Sequence, residues 1–176
     1  MQTELPLLLI GPFVVVVGSL LGVVLGFVLA DRQRRKEEER RAVAIRRMLQ
    51  TEIDHNIGEL KQWVQDDDPS LDNFPGQSSQ IWETQLPVIP TVLVELEKIT
   101  KVHDFYFRRR SLSEYAAEQR NLVSALLQSR MANPTQFSGH AYKRIAPSAV
   151  EELKQRSTLF IEAYKDLRVI ENDAQK

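Results

Sequence analysis

Residues 5–36 read LPLLLIGPFVVVVGSLLGVVLGFVLADRQRRK, and the architecture expected of the whole chain turns on them. No charged residue occurs from Leu5 to Ala30. Within 7–30, seventeen of twenty-four positions are Leu, Ile, Val or Phe, and the others are Gly, Pro, Ser and Ala. A helix of that length rises about 36 Å, enough to cross a hydrocarbon core of roughly 30 Å. The run Val14 to Val17 favours a strand in water, but a lone strand in lipid leaves its backbone groups unpaired, so a helix is expected. A cleaved secretory signal competes, because Val28-Leu29-Ala30 resembles a cleavage site. No Lys or Arg precedes the apolar run, which exceeds the usual ~7–15 residue signal core, and basic residues follow it. An uncleaved transmembrane helix over 7–30 is therefore the expectation, with 1–6 as a short tail outside the cell.

Charge sets the expected orientation. The tail carries only Glu4 and the amino terminus, whereas 31–47 holds eight basic and four acidic residues, Arg32, Arg34, Arg35 and Lys36 lying directly beyond the span. Positive residues stay on the cytoplasmic side, which places the tail outside and the rest of the chain in the cytoplasm of a cell-membrane protein. The same four side chains are expected to meet anionic headgroups, each contributing up to about 1 kcal/mol near the surface. Gly18, Gly22, Gly26 and Ala30 repeat every four residues. Such a ridge lets two backbones approach closely and offers a route to a homo-oligomer, although glycine is common in membrane helices generally.

The full chain has 176 residues, 23 Lys+Arg against 24 Asp+Glu, and no cysteine. Near-neutral charge argues against a dedicated nucleic-acid binder. Absent cysteine excludes disulfide frameworks, thiolate-ligated metals and thiol catalysis. Residues 48–107 are acidic, with three basic and eleven acidic side chains, so this part is expected to be pushed away from an anionic bilayer.

Beyond the basic juxtamembrane helix 31–47, residues 48–176 read as an all-α bundle of about four helices. The first continues the membrane helix to about Gln65, carrying Ile45, Leu49, Ile53, Ile57, Leu60 and Val64 at three- and four-residue steps. Asp66-Asp67-Asp68-Pro69 ends it, and 70–80 reads as a loop. Residues 81–86 suit a short helical turn. Pro90 suits the first turn of the next helix, with Leu93, Leu96, Ile99, Val102, Phe105 and Tyr106 inward and Arg108-Arg109-Arg110 near its end. Ser111 to Glu114 is a possible capping box for a third helix, with Leu112, Tyr115, Leu122, Val123 and Leu126 inward. Ser148 to Glu151 is another, opening a stripe of Val150, Leu153, Ser157, Phe160, Tyr164 and Leu167.

Chemistry-bearing patterns are sparse. Glu52 and His55 have the Glu-x-x-His spacing of carboxylate-bridged metal bundles, but His103 and His140 follow Thr100 and Phe137 by three, so the second motif is missing. A pair of surface polar residues is preferred. His103 and Asp104 adjoin each other with no nucleophile placed beside them. Three consecutive arginines at 108–110 are expected as a solvated face or helix end. Asn56 lies at the border of the apolar stripe, where its amide is placed either to tie the helix to a loop or helix near Trp82 or to face solvent. No phosphate-binding loop, nucleophile elbow or zinc-protease motif occurs.

The string from Leu49 to Leu60, containing Glu52, Ile53, Asn56 and Ile57, followed by Trp82, Leu86-Pro87 and Phe105-Tyr106, resembles a loose group of uncharacterised prokaryotic proteins. These have a single N-terminal membrane pass and a helical cytoplasmic domain. The resemblance covers roughly residues 1–107 and implies architecture only. A peripheral-stalk subunit of ATP synthase also starts with one span and a charged helix, but continues as one unbroken helix, whereas this chain carries Pro69, Pro75, Pro87, Pro90, Pro134 and Pro147. The sequence thus leads to a single-pass anchor bearing a non-catalytic interaction or scaffold module with no cofactor. Its partners would be the bilayer, a cytoplasmic protein and a second copy. The alternative is a membrane-tethered enzyme or metal-binding bundle using Glu52 and His55.

Overall fold

The computed structural model describes the backbone of residues 5–93, 95–132 and 139–170, and the side chains of 17–93, 95–129 and 146–170. Its described elements are all helical: α1 (Leu5–Gln65), α2 (Gln80–Gln85), α3 (Ile89–Val92), α4 (Leu96–Ala132) and α5 (Gly139–Tyr164). Two compact units divide the chain, Met1–Val43 and Ala44–Lys176.

In the first unit the large apolar side chains described from Val17 to Leu29 are all exposed, as are Arg32, Arg34, Arg35 and Lys36. Arg34 pairs with Glu38 and Arg35 with Asp31, each one turn away at 3.0 Å. Among the described residues no helix is long and apolar enough to cross a membrane. Of the uncharged run, the side chains of 5–16 lie outside the described residues.

The second unit is built around the C-terminal part of α1. Ile45, Leu49, Ile53, Ile57 and Leu60 are buried at the spacing expected of an apolar stripe, together with Trp63. Val102, Phe105, Tyr106, Leu112 and Ala116 of α4, and Leu153, Phe160, Ile161 and Tyr164 of α5, complete the core. The aromatic rings of Phe105, Phe160 and Tyr164 meet at centroid distances of 4.8–5.4 Å. Helices α4 and α5 are antiparallel: Asp104 near the start of α4 meets Tyr164 at the end of α5, and Tyr115 meets Glu152. After α5 the chain returns to α1, where the Gln50 amide donates to Leu167 O at 3.3 Å and accepts from Val169 N at 2.7 Å.

Several boundaries differ from those expected. Neither serine box starts a helix. Ser111 lies inside α4 and its hydroxyl donates back to Phe107 O at 3.1 Å, while Glu114 pairs with Arg110. A serine inside a helix satisfies itself this way without ending it. Helix α5 is already formed at Gly139 and runs through Pro147, giving up one backbone bond there. Pro90 does sit in a first turn, but α3 lasts four residues before Leu93 becomes extended, and α4 starts separately at Leu96. Leu96 and Leu122, expected inward, are exposed. The expected "about four" bundle helices become two long ones, α4 and α5, packed with the C-terminal part of α1, with the short helices α2 and α3 lying between α1 and α4 in the chain.

The core assignment can be tested at two leucines of α5. Leu153 is fully buried and Leu159 is exposed. Chemical unfolding of the full chain should show Leu153→Ala costing about 2–5 kcal/mol, and Leu159→Ala staying within about 0.5 kcal/mol of the parent.

Candidate functional site

Between α1 and α4 the chain runs from Asp66 to Val88 as an irregular strap containing α2. Irregular backbone placed against a protein cannot satisfy its own polar groups, so side chains must do it. The side chains that do so project from one face of α1 and one face of α4. Glu52, Asn56 and Trp63 come from α1. Arg109 and Arg120 come from α4, as does Tyr106, which donates to Glu52 and stacks on Trp82.

The Glu52 carboxylate is 5 % exposed and accepts four hydrogen bonds. Ser78 Oγ donates at 3.2 Å, Ile81 N at 3.0 Å, Trp82 N at 3.1 Å and Tyr106 Oη at 2.6 Å. Ile81 and Trp82 lie in the first turn of α2, where amides lack intrahelical acceptors. The preceding Ser79 does not cap them, because its hydroxyl donates to Glu83 at 2.7 Å. Glu52 therefore caps α2 from another helix, a negative charge at a helix N-terminus. One turn further along α1, Asn56 Nδ2 donates to Ser78 O at 2.7 Å and Asn56 Oδ1 accepts from Ser78 N at 2.9 Å. Asn56 is 1 % exposed, and its tie lies in the loop just ahead of Trp82.

The other half of the strap is held by cations. Arg109 is fully buried. Its Nη2 donates to Pro75 O and Gly76 O, both at 2.9 Å, and its Nη1 donates to Ser113 Oγ at 2.8 Å. Its guanidinium also lies 5.5 Å from the centroid of the Phe74 ring. Arg120 donates to Leu71 O at 2.6 Å, and Trp63 Nε1 donates to Ser70 O and Asn73 Oδ1. Trp82 stacks on Tyr106 with centroids 4.9 Å apart and planes 14° apart.

Burial pulls the Arg109 guanidinium down to about 10, still charged at neutral pH. Burial first, and the adjacent Glu52 carboxylate second, push the Tyr106 phenol far above its ordinary value. The arginine triplet thus divides: Arg108 and Arg110 are exposed, paired with Asp104 and Glu114, whereas Arg109 corrects the expectation of a solvated face. Glu52 corrects the expectation of a surface Glu-x-x-His pair. It is saturated by donors inside the unit, while His55 is exposed. A helix turn of three residues is what separates a core-facing position from a rim position here.

Outside this knot, His55, Glu59, Gln77, Ser79, Glu83 and Thr84 line an open cleft of about 620 Å³. His103 is exposed, with its ring 6.0 Å from Trp82, and Asp104 is tied to Tyr164 and Arg108. Among the described residues no group of three or more His, Asp or Glu is placed to hold a metal ion. Gly18, Gly22 and Gly26 have no neighbour within 4 Å of where a Cβ would stand.

The knot makes a pH-dependent prediction. Because the folded state raises the Tyr106 pKa above 10, its contribution is complete below pH 10 and is lost as the pH rises beyond it. Tyr106→Phe should cost about 2 kcal/mol near neutrality by removing one donor from a buried carboxylate. Above pH 10 it should lose stability more slowly than the parent, by up to about 1.4 kcal/mol per pH unit. Urea unfolding midpoints across pH 7–11 measure both.

No protein-family model, curated protein or solved structure matches this chain.

Proposed function

We propose that this protein is a single-pass membrane protein, anchored by 7–30, whose helical cytoplasmic part holds other proteins without catalysing a reaction. The observation that carries the anchor is the uncharged run itself. Leu20, Leu21, Val23, Val24, Leu25, Phe27 and Leu29 are each more than half exposed. Leaving seven such side chains in water forgoes about 1.5–3 kcal/mol apiece, a sum on the scale of a whole domain's stability. Lipid removes that cost, and a helical backbone from Leu5 onward is the form lipid requires.

Arg32, Arg34, Arg35 and Lys36 then meet the headgroups of the inner leaflet, fixing the C-terminal part inside the cell. Gly18, Gly22, Gly26 and Ala30 give the anchor a flat ridge on which a second anchor packs. The non-catalytic reading is supported by how the polar side chains are used. Glu52 and Arg109 are spent on the strap, and Asp104 on Tyr164 and Arg108. The architecture is that of the prokaryotic group which residues 49–60 and 82–106 resemble.

Alkaline carbonate washing of membranes should leave the full chain in the pellet. Protease added outside intact cells should spare its C-terminal part. Recovery in the carbonate supernatant would overturn the anchor, and digestion from outside would overturn the orientation.

A further inference from the structure

We propose that the chain following Ile170 is a latch that closes on α1 through Glu171, whose carboxylate pairs with Arg46. Residues 171–176 lie outside the described residues; the described chain leads up to this place and shows what the latch would meet there.

Three contacts fix the path. After α5 the chain travels back along α1 toward its N-terminal end: Lys61 acts electrostatically on Glu162, Arg168 Nη1 lies 3.7 Å from Asp54 Oδ1, and Val169 N donates to Gln50 Oε1 at 2.7 Å. Burial alternates along this path, Leu167 and Val169 being buried and Arg168 exposed. Two further residues advance the chain by at most about 7 Å. One turn of α1, from Gln50 back to Arg46, is about 6 Å. Glu171 therefore comes level with Arg46 and continues the inward side of the alternation.

Arg46 is a cation without a counterpart. It is half-buried, and its Nε is buried with no hydrogen-bond partner. Arg34, Arg35, Arg108, Arg110 and Arg156 each pair with an acid four residues away. The positions three and four from Arg46 are Ala42, Val43, Leu49 and Gln50, so its own helix cannot do the same. Asp54, about two turns away, is already engaged by Gln50 and Arg168. The next acids along the returning chain are Glu171 and Asp173, and Glu171 arrives first. A carboxylate there gives the guanidinium the charge-assisted partner it lacks. Closed, the latch neutralises Arg46; open, it returns that charge to solvent. It lies wholly within the second unit and does not depend on the anchored reading.

The chain has no cysteine, so Val169→Cys introduces a unique thiol at a buried position beside Gln50. In the full chain at low ionic strength, the rate at which a neutral maleimide labels this thiol measures how often the segment opens. Adding Glu171→Gln or Arg46→Gln should speed labelling about threefold. Arg47→Gln, which removes an adjacent exposed charge, and Asp173→Asn should leave the rate unchanged. Arg46→Glu should speed labelling further, and Arg46→Glu combined with Glu171→Arg should bring it back toward the parent rate. An unchanged rate in Glu171→Gln, an equal gain in Arg47→Gln or Asp173→Asn, or a reversed pair that fails to restore protection would overturn the proposal. Should the thiol itself loosen the segment, hydrogen exchange of the Val169 amide, which is bonded to Gln50, makes the same comparison without it.

Discussion

The second unit depends on one buried carboxylate. A bare ionised Glu52 at this depth would cost several kcal/mol, more than a marginally stable domain can spare. Four donors offset that cost, and they come from three separate parts of the chain: the loop at Ser78, the first turn of α2, and Tyr106 on α4. Closing these bonds fixes the strap against α1, sets α2 in position, and brings Trp82 onto the Tyr106 ring. Arg109 works on the strap with the opposite sign. It takes the carbonyls of Pro75 and Gly76, while Glu52 takes the amides of Ile81 and Trp82. Neither charge neutralises the other; each is balanced by backbone dipoles of the same segment. A six-residue helix too short to be stable alone is thereby held by the longer helices around it.

How far the sequence anticipated this differs between elements for physical reasons. The α1 stripe from Ile45 to Leu60 and the α5 stripe from Leu153 to Tyr164 are legible because burial on one side of a helix imposes a three-four period. The end of α1 is legible because Asp66 to Pro69 removes the means of continuing. Serine boxes misled because a serine with a glutamate three residues on is also compatible with a helix interior, where the hydroxyl bonds the preceding turn. Residue type alone points Glu52 and Arg109 outward, since free Glu and Arg favour water. Their phase held the missing signal: Arg109 continues Val102, Phe105, Leu112 and Ala116 at helical steps, and Glu52 stands between Leu49 and Asn56. A charge in phase with a core stripe is a buried charge awaiting partners, and most of those partners, Ser78, Ile81, Trp82 and Tyr106 for Glu52 and Pro75 and Gly76 for Arg109, lie more than twenty positions away and are not visible in local pattern.

The proposed function rests on how the two units divide the chemistry. The first holds apolar side chains that water does not favour and basic side chains that an anionic surface does. The second uses its buried polar groups for shape, leaving an apolar groove between α4 and α5 and an open polar cleft beside His55. In the proposed reading as a scaffold these surfaces do the binding, and the strap's bonds are what keep them fixed.

The most direct measurement is native-state hydrogen exchange of the Ile81 and Trp82 amides in the full chain. If Glu52 anchors the strap, both amides should exchange only through the opening that releases the α1 core, with the same denaturant dependence as the amides around Ile53. Exchange through low-energy local fraying, as for an ordinary surface loop, would contradict the account.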